Sequence, residues 1–214
     1  MNKYVLEFEK KDLMIYISHL DLLRLFKRAF KRTGIKLNYS KGFNPHPIMG
    51  FAQPLSLGYI GLHEFIEFET EKVYDESIIE LLNKELPKGM KILNIDTFKG
   101  NKSLAADTNA CEYEIEIPLK DSDYDVNGYF NQNSILAMKR MKKTKKMSEV
   151  EIKDKIRSYN YEFKKDKLLL NLTLDGGSIS NLSPELVIQS ITKYLGIEII
   201  RSEIIVKRKR ILFN

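Results

Sequence analysis

Cysteine is nearly absent from this chain. Cys111 stands alone among 214 residues, which excludes an internal disulfide, a self-contained iron-sulfur cluster and a multi-cysteine zinc site. The three histidines, His19, His46 and His63, have no short paired spacing, so no metal site is expected from them. No cofactor is expected either. Long apolar runs are missing too: nothing approaches the roughly 18 residues of a membrane span, and MNKYVLEFEK has no apolar signal region. These absences point to a reducing cytoplasm, with no export and no membrane partner. A hydrophobic fraction of 43% argues against wholesale disorder, and the net charge of +6 favours an acidic partner.

The stretch from Ser40 to Gly61 has little periodicity and holds four glycines and three prolines. Loops of this length within compact domains are either functional or disordered. Phe43, Ile48, Met49, Phe51, Leu55 and Leu57 supply apolar anchors that a disordered tract lacks, so an ordered recognition loop is expected.

Acidic residues are also missing from the segment before this loop. In SHLDLLRLFKRAFKRTG, Ser18 is placed to cap a helix, Asp21 follows three residues on, and Gly34 stops it. At about 100° per residue, Arg24, Lys27, Arg28, Lys31 and Arg32 share one face, opposite Leu22, Leu25, Phe26, Ala29 and Phe30. Such a stripe is first of all a solvated helix face. The loop that follows adds Tyr39, Lys41, Gly42, Phe43, Asn44 and His46, with His19 at the helix start. Aromatics beside cations suit RNA, whose bases stack while its phosphates pair with positive charge. These residues form the expected RNA-binding set.

Alternation in Lys3–Glu9 reads as a strand, extended or paired by 13–17. The basic helix at about 19–33 is followed by a short strand at 35–39, the loop, a strand at 63–69, a helix at 75–86 and a strand at 91–98. The order βαββαβ is that of a ferredoxin-like lobe. GNKSLAADTNA, residues 100–110, reads as a boundary. A second cycle follows: a strand at 112–117, a helix near 126–130, a strand near 135–141, a basic irregular insert, a strand at 167–174, a helix at 184–194 and a strand at 203–212. The expected fold is therefore α+β, with two ferredoxin-like lobes over 1–100 and 110–214.

The densest charge cluster, Lys139, Arg140, Lys142, Lys143, Lys145 and Lys146, reads as a solvated loop that can act as an electrostatic arm. Cations at Lys207–Arg210 suit a guarded edge strand or an RNA surface. DGGSISNLSPELV lacks a Walker lysine and spaced glycines, and Ser183 with Pro184 explains it as a helix start. For catalysis, His19 facing His46, helped by Tyr16 and Lys41, would make a metal-independent RNA cleavage pair. Histidines beside glycine and proline more often pin a loop, so no catalytic residue is assigned.

The runs YISHLDLLRLFKRAFKRTG, YSKGFNPHP and FAQPLSLG resemble the signature of the radical SAM-linked proteins, a family of unknown function. The resemblance is specific over 16–69 and traceable through GGSISNLSPELV. Its members are similar to modules fused to, or encoded beside, radical SAM proteins. The resemblance implies a radical SAM enzyme as partner, with this cysteine-poor chain as the accessory. The helix and glycine loop are also distantly similar to CRISPR repeat-processing endoribonucleases, at the level of fold only. The expectation is an RNA-recognition subunit that presents tRNA or rRNA to a radical SAM RNA-modifying enzyme. The alternatives are a metal-independent endoribonuclease and a protein-binding scaffold for the radical SAM partner.

Overall fold

The computed structural model describes residues 2–119, 123–141 and 144–214. The chain is mixed α+β and divides into two units. Unit 1 runs to Asn109 and includes Arg208–Asn214; unit 2 is Ala110–Lys207.

Unit 1 begins with β1 (Asn2–Lys10), whose alternation buries Tyr4, Leu6, Phe8 and Lys10. A 3-10 helix, Asp12–Tyr16, follows where a strand was expected at 13–17. Asp12 at φ 52° turns the chain out of the extended path, so the segment cannot pair. Next is α1 (His19–Arg32): the Ser18 side chain accepts from the Asp21 N–H, and Gly34 at φ 75° ends the helix. The expected strand at 35–39 does not form. Only single bridges occur there, Leu37 to Thr70 and Tyr39 to Pro47.

The long loop holds more regular structure than expected, because β2 (Met49–Phe51) pairs with β3 (Ile60–Thr70). After α2 (Ser77–Glu85) comes β4 (Met90–Thr97). The strand order in unit 1 is β4-β1-β3, with β2 also on β3 and every one of these pairings antiparallel. Leu22, Phe26, Ala29 and Phe30 of α1 and Ile78 and Leu82 of α2 pack on the buried side of β1, β3 and β4. Phe26 meets Phe8 and Phe51 edge-on, which locks α1 to the sheet. A one-turn helix, α3 (Leu104–Asp107), is capped by Ser103.

Unit 2 contains most of β5 (Thr108–Pro118), then α4 (Val126–Asn131), β6 (Leu136–Arg140), β7 (Met147–Glu151), β8 (Ile156–Lys164), β9 (Lys167–Asp175) and α5 (Pro184–Tyr194). The last strand, β10 (Ile205–Phe213), has residues in both units. Tyr113, Ile115 and Ile117 lie opposite Leu172, Leu170 and Leu168, and all six are buried. The expected irregular insert is instead a separate β6-β7 hairpin followed by β8, which pairs with β9. Single-residue charge runs hid its alternation.

One buried pair anchors the end of the chain in unit 1. Arg208 donates from Nε to Glu64 Oε1 at 2.9 Å and from Nη2 to Glu64 Oε2, with both residues nearly inaccessible. Its remaining donors reach the Gln53 carbonyl at 2.7 Å and the Pro54 carbonyl at 3.1 Å. Breaking a buried pair from one side costs about 3–5 kcal/mol, since the survivor is left charged and unpartnered. Arg208→Met should therefore lose about that much stability in chemical denaturation, and adding Glu64→Leu should recover most of it. Equal loss in the single and double variants would contradict the pairing.

Candidate nucleic-acid interface

The helix supplies the first part of the surface. Arg24, Lys27, Arg28, Lys31 and Arg32 are all exposed, on the side away from the buried residues. They are not equally available. Arg24 pairs with Asp21 at 2.8 Å, and Arg32 is held by the Glu85 carboxylate and by the Glu85 carbonyl at 2.7 Å. The hydroxyl of Ser18 and the guanidinium of Arg24 lower the Asp21 pKa. Lys27, Arg28 and Lys31 make no ion pair among the described residues. Solvent and diffusible anions are what neutralise them.

The second part is the loop tip. Ser40 N–H donates to the His46 carbonyl at 2.9 Å, and the His46 N–H donates to Ser40 Oγ at 3.1 Å. His46 Nδ1 lies 3.0 Å from the same hydroxyl and 3.4 Å from the Asn44 carbonyl oxygen. With the Tyr39–Pro47 bridge, these bonds clamp the base of a tight arc. His46 is therefore a loop pin. Gly42 turns the arc at φ 135°, a region that penalises any side chain. Lys41, Phe43 and Asn44 are exposed on it, and Phe43 is free of contact over its whole ring, with a relative exposure of 112%.

Of the expected apolar anchors, Phe51 is buried and Ile48, Met49 and Leu55 are half-buried, whereas Phe43 and Leu57 point outward. Helix and loop meet at one depression, an open groove of about 670 Å³ lined by Lys27, Phe30, Lys31, Ile35, Lys36 and Tyr39 among others. Its floor is apolar, its rim carries three lysines, and it ends at the half-exposed Tyr39 that starts the clamped arc. Lys36 was not among the residues expected at the surface. Its neighbours seemed to form a strand, which hid its place on the rim.

His19 and His46 do not come together. His19 lies edge-on to Phe51 at 5.3 Å and lines a small cavity with Phe8 and Glu64, while His46 lines a different depression with Lys3 and Glu69. The expected cleavage pair is not assembled. Burial lowers the His19 pKa from the ordinary 6.5, so the unfolded chain takes up this proton at higher pH than the folded one. Among the described residues, no cluster of His, Cys, Asp and Glu is placed to hold a metal.

The C-terminal cations are engaged rather than free. Lys207 Nζ bridges Glu114 at 2.8 Å and Glu116 at 2.6 Å, and Arg208 is buried on Glu64. Of the dense basic cluster, Lys142 and Lys143 lie outside the described residues. Lys139 and Arg140 are on β6, and Lys145, at φ 58°, is in the turn of the hairpin. Ser183 and Pro184 start α5, as the sequence indicates.

The geometry defines an α+β protein with a clamped aromatic loop beside a basic helix. The chain belongs to the family described as "uncharacterized protein conserved in bacteria (DUF2344)", whose match covers residues 3–184. No curated protein matches it. Among solved structures, a chain in the crystal structure of a Cbf5-Nop10-Gar1 complex is similar, with a TM-score of 0.55 at 12% identity over 97% of this chain and 48% of that one. This chain thus spans about half the length of that neighbour, and the likeness is one of fold. No helix among the described residues is long and apolar enough to cross a membrane.

Because Phe43 touches nothing, Phe43→Ala should change stability by less than about 0.5 kcal/mol. Phe51→Ala, which empties a core site, should cost about 3–5 kcal/mol. Thermal or chemical denaturation checks both, and a destabilised Phe43 variant would mean that the ring packs. As a third check, His19 should titrate below 6.5 by NMR, with stability falling as pH drops below that value.

Proposed function

We propose that unit 1 recognises single-stranded or looped RNA through the α1 cations and the clamped loop, and that the chain is the RNA-recognition accessory of a radical SAM RNA-modifying enzyme. One observation carries the RNA reading. Phe43 is fully exposed on an arc whose base is fixed by Ser40, His46 and the Tyr39–Pro47 bridge. Leaving a phenylalanine in water forgoes about 1.5–3 kcal/mol of burial, and a pinned loop cannot turn it inward. A ring displayed this way beside unpaired cations suits base stacking, with phosphates on Lys27, Arg28, Lys31 and Lys41. The groove between α1 and Tyr39 gives the strand a path.

The partner half of the proposal rests on the radical SAM-linked signature in residues 16–69 and on the single cysteine, which leaves cluster chemistry to another chain. Substrate would be a tRNA or rRNA with an accessible loop. Co-purification with a radical SAM protein encoded beside this chain tests that half. Absence of a complex at micromolar concentrations would remove it and leave the RNA reading standing.

For the RNA half, Lys27→Glu, Arg28→Glu and Lys31→Glu together should weaken binding of a short unstructured RNA and flatten its log-log salt slope by about 2, from about 0.7 per lost phosphate contact. Phe43→Ala should cost about 1–3 kcal/mol of affinity with the slope unchanged. Filter binding across a salt series reads both. Wild-type affinity in both variants would place RNA elsewhere or nowhere.

A further inference from the structure

Three charged side chains occupy strand positions where alternation calls for apolar ones. Lys10 follows Tyr4, Leu6 and Phe8 on the buried side of β1, Glu64 precedes Ile66 and Phe68 on β3, and Arg208 follows Val206 on β10. Arg208 and Glu64 satisfy each other. Lys10 is only 1% exposed, yet its ammonium makes no hydrogen bond or ion pair among the described residues. An uncompensated buried cation is costly, and proteins retain few of them without a use.

The backbone is arranged to place this amine. The β1-β3 register shifts between Phe8 and Lys10, a bulge of the kind that re-aims a side chain. Opposite Lys10 stands Gly61, where an added Cβ would lie 2.5 Å from Glu64 Cγ. Lys10 and Glu64 line a small, partly open cavity together with His19, Gln53, Phe51 and Leu55. Its enclosed space is about 10 Å³, room for a single oxygen atom.

We infer that Lys10 anchors a binding site for one anionic oxygen, that of a carboxylate on an otherwise apolar ligand. Three observations give the class. The cluster of Lys10, Glu64 and Arg208 has one positive charge in excess, which excludes a metal cation. The walls are mostly apolar, which suits a ligand body with little polarity. One ammonium beside a carboxylate leaves the further oxygens of a phosphate without donors. Burial lowers the Lys10 pKa, with Glu64 opposing and Arg208 adding to the effect, so an arriving anion is the missing partner that restores the charged form. The site is separate from the RNA surface, and its failure would leave that reading intact.

The test uses the full chain with 13C-labelled lysine and two probes, acetate and inorganic phosphate, at constant ionic strength. The Lys10 Cε signal is assigned by its disappearance in Lys10→Met, or in Lys10→Gln should the first variant fold poorly. Acetate is expected to shift that signal saturably, to raise the Lys10 pKa and to raise the wild-type Tm. Lys10→Met should have a higher Tm than wild type without ligand and at least about tenfold weaker acetate affinity, because a charge-assisted bond is lost. A Lys10 signal unmoved by acetate would overturn the proposal, as would an equal acetate response in the variant. A phosphate response as strong as that to acetate would overturn the carboxylate assignment.

Discussion

The bidentate contact between Arg208 and Glu64 is the constraint on which the recognition surface depends. It ties the last strand to β3, and the same guanidinium takes the carbonyls of Gln53 and Pro54. Those carbonyls belong to the exit of the long loop, whose backbone has few partners of its own. A fully satisfied arginine turns that irregular segment into fixed structure. The pair adds little to stability compared with an apolar replacement, but it specifies where the loop must leave the sheet.

From that point the loop is fastened in steps. Ala52 N–H donates to the Phe65 carbonyl, β2 pairs with β3, and Ile48 N–H donates to the Asn38 carbonyl. The Tyr39–Pro47 bridge and the Ser40–His46 bonds come next. What remains free is the short arc that carries Lys41, Gly42, Phe43 and Asn44. Function placed on a loop held by a rigid scaffold is a common arrangement, since the scaffold carries the cost of ordering. Packing of Phe26 against Phe8 and Phe51 fixes α1 to the same scaffold, so the cations of its outer face stand in a set relation to the arc.

Much of this was legible from residues alone. Ser18, Gly34 and the apolar period between them specify α1 to within a residue of its end, and its buried side is the one the period implies. The alternation of β1, β5 and β9 was equally plain. What escaped had a common cause: partners distant in sequence. Leu13–Ile17 is as apolar as a strand, yet the positive φ of Asp12 diverts it into a 3-10 turn. Residues 35–39 resemble a strand but find only single bridges. The β6-β7 hairpin was masked by its lysines. Lys10, Glu64 and Arg208 carried a signal that was passed over, because each lies on the apolar parity of its strand. Arg208 is 144 positions from Glu64, and no local pattern joins them.

The central claim is that RNA lies along α1 and the clamped arc of unit 1. Ultraviolet crosslinking of a short single-stranded RNA to the full chain, with crosslinked residues mapped by mass spectrometry, addresses it most directly. The account predicts crosslinks at Phe43 and Tyr39, with Lys27, Lys31 and Lys41 in the same peptides or next to them. Crosslinks concentrated on the β6-β7 hairpin, with none on residues 24–46, would contradict it.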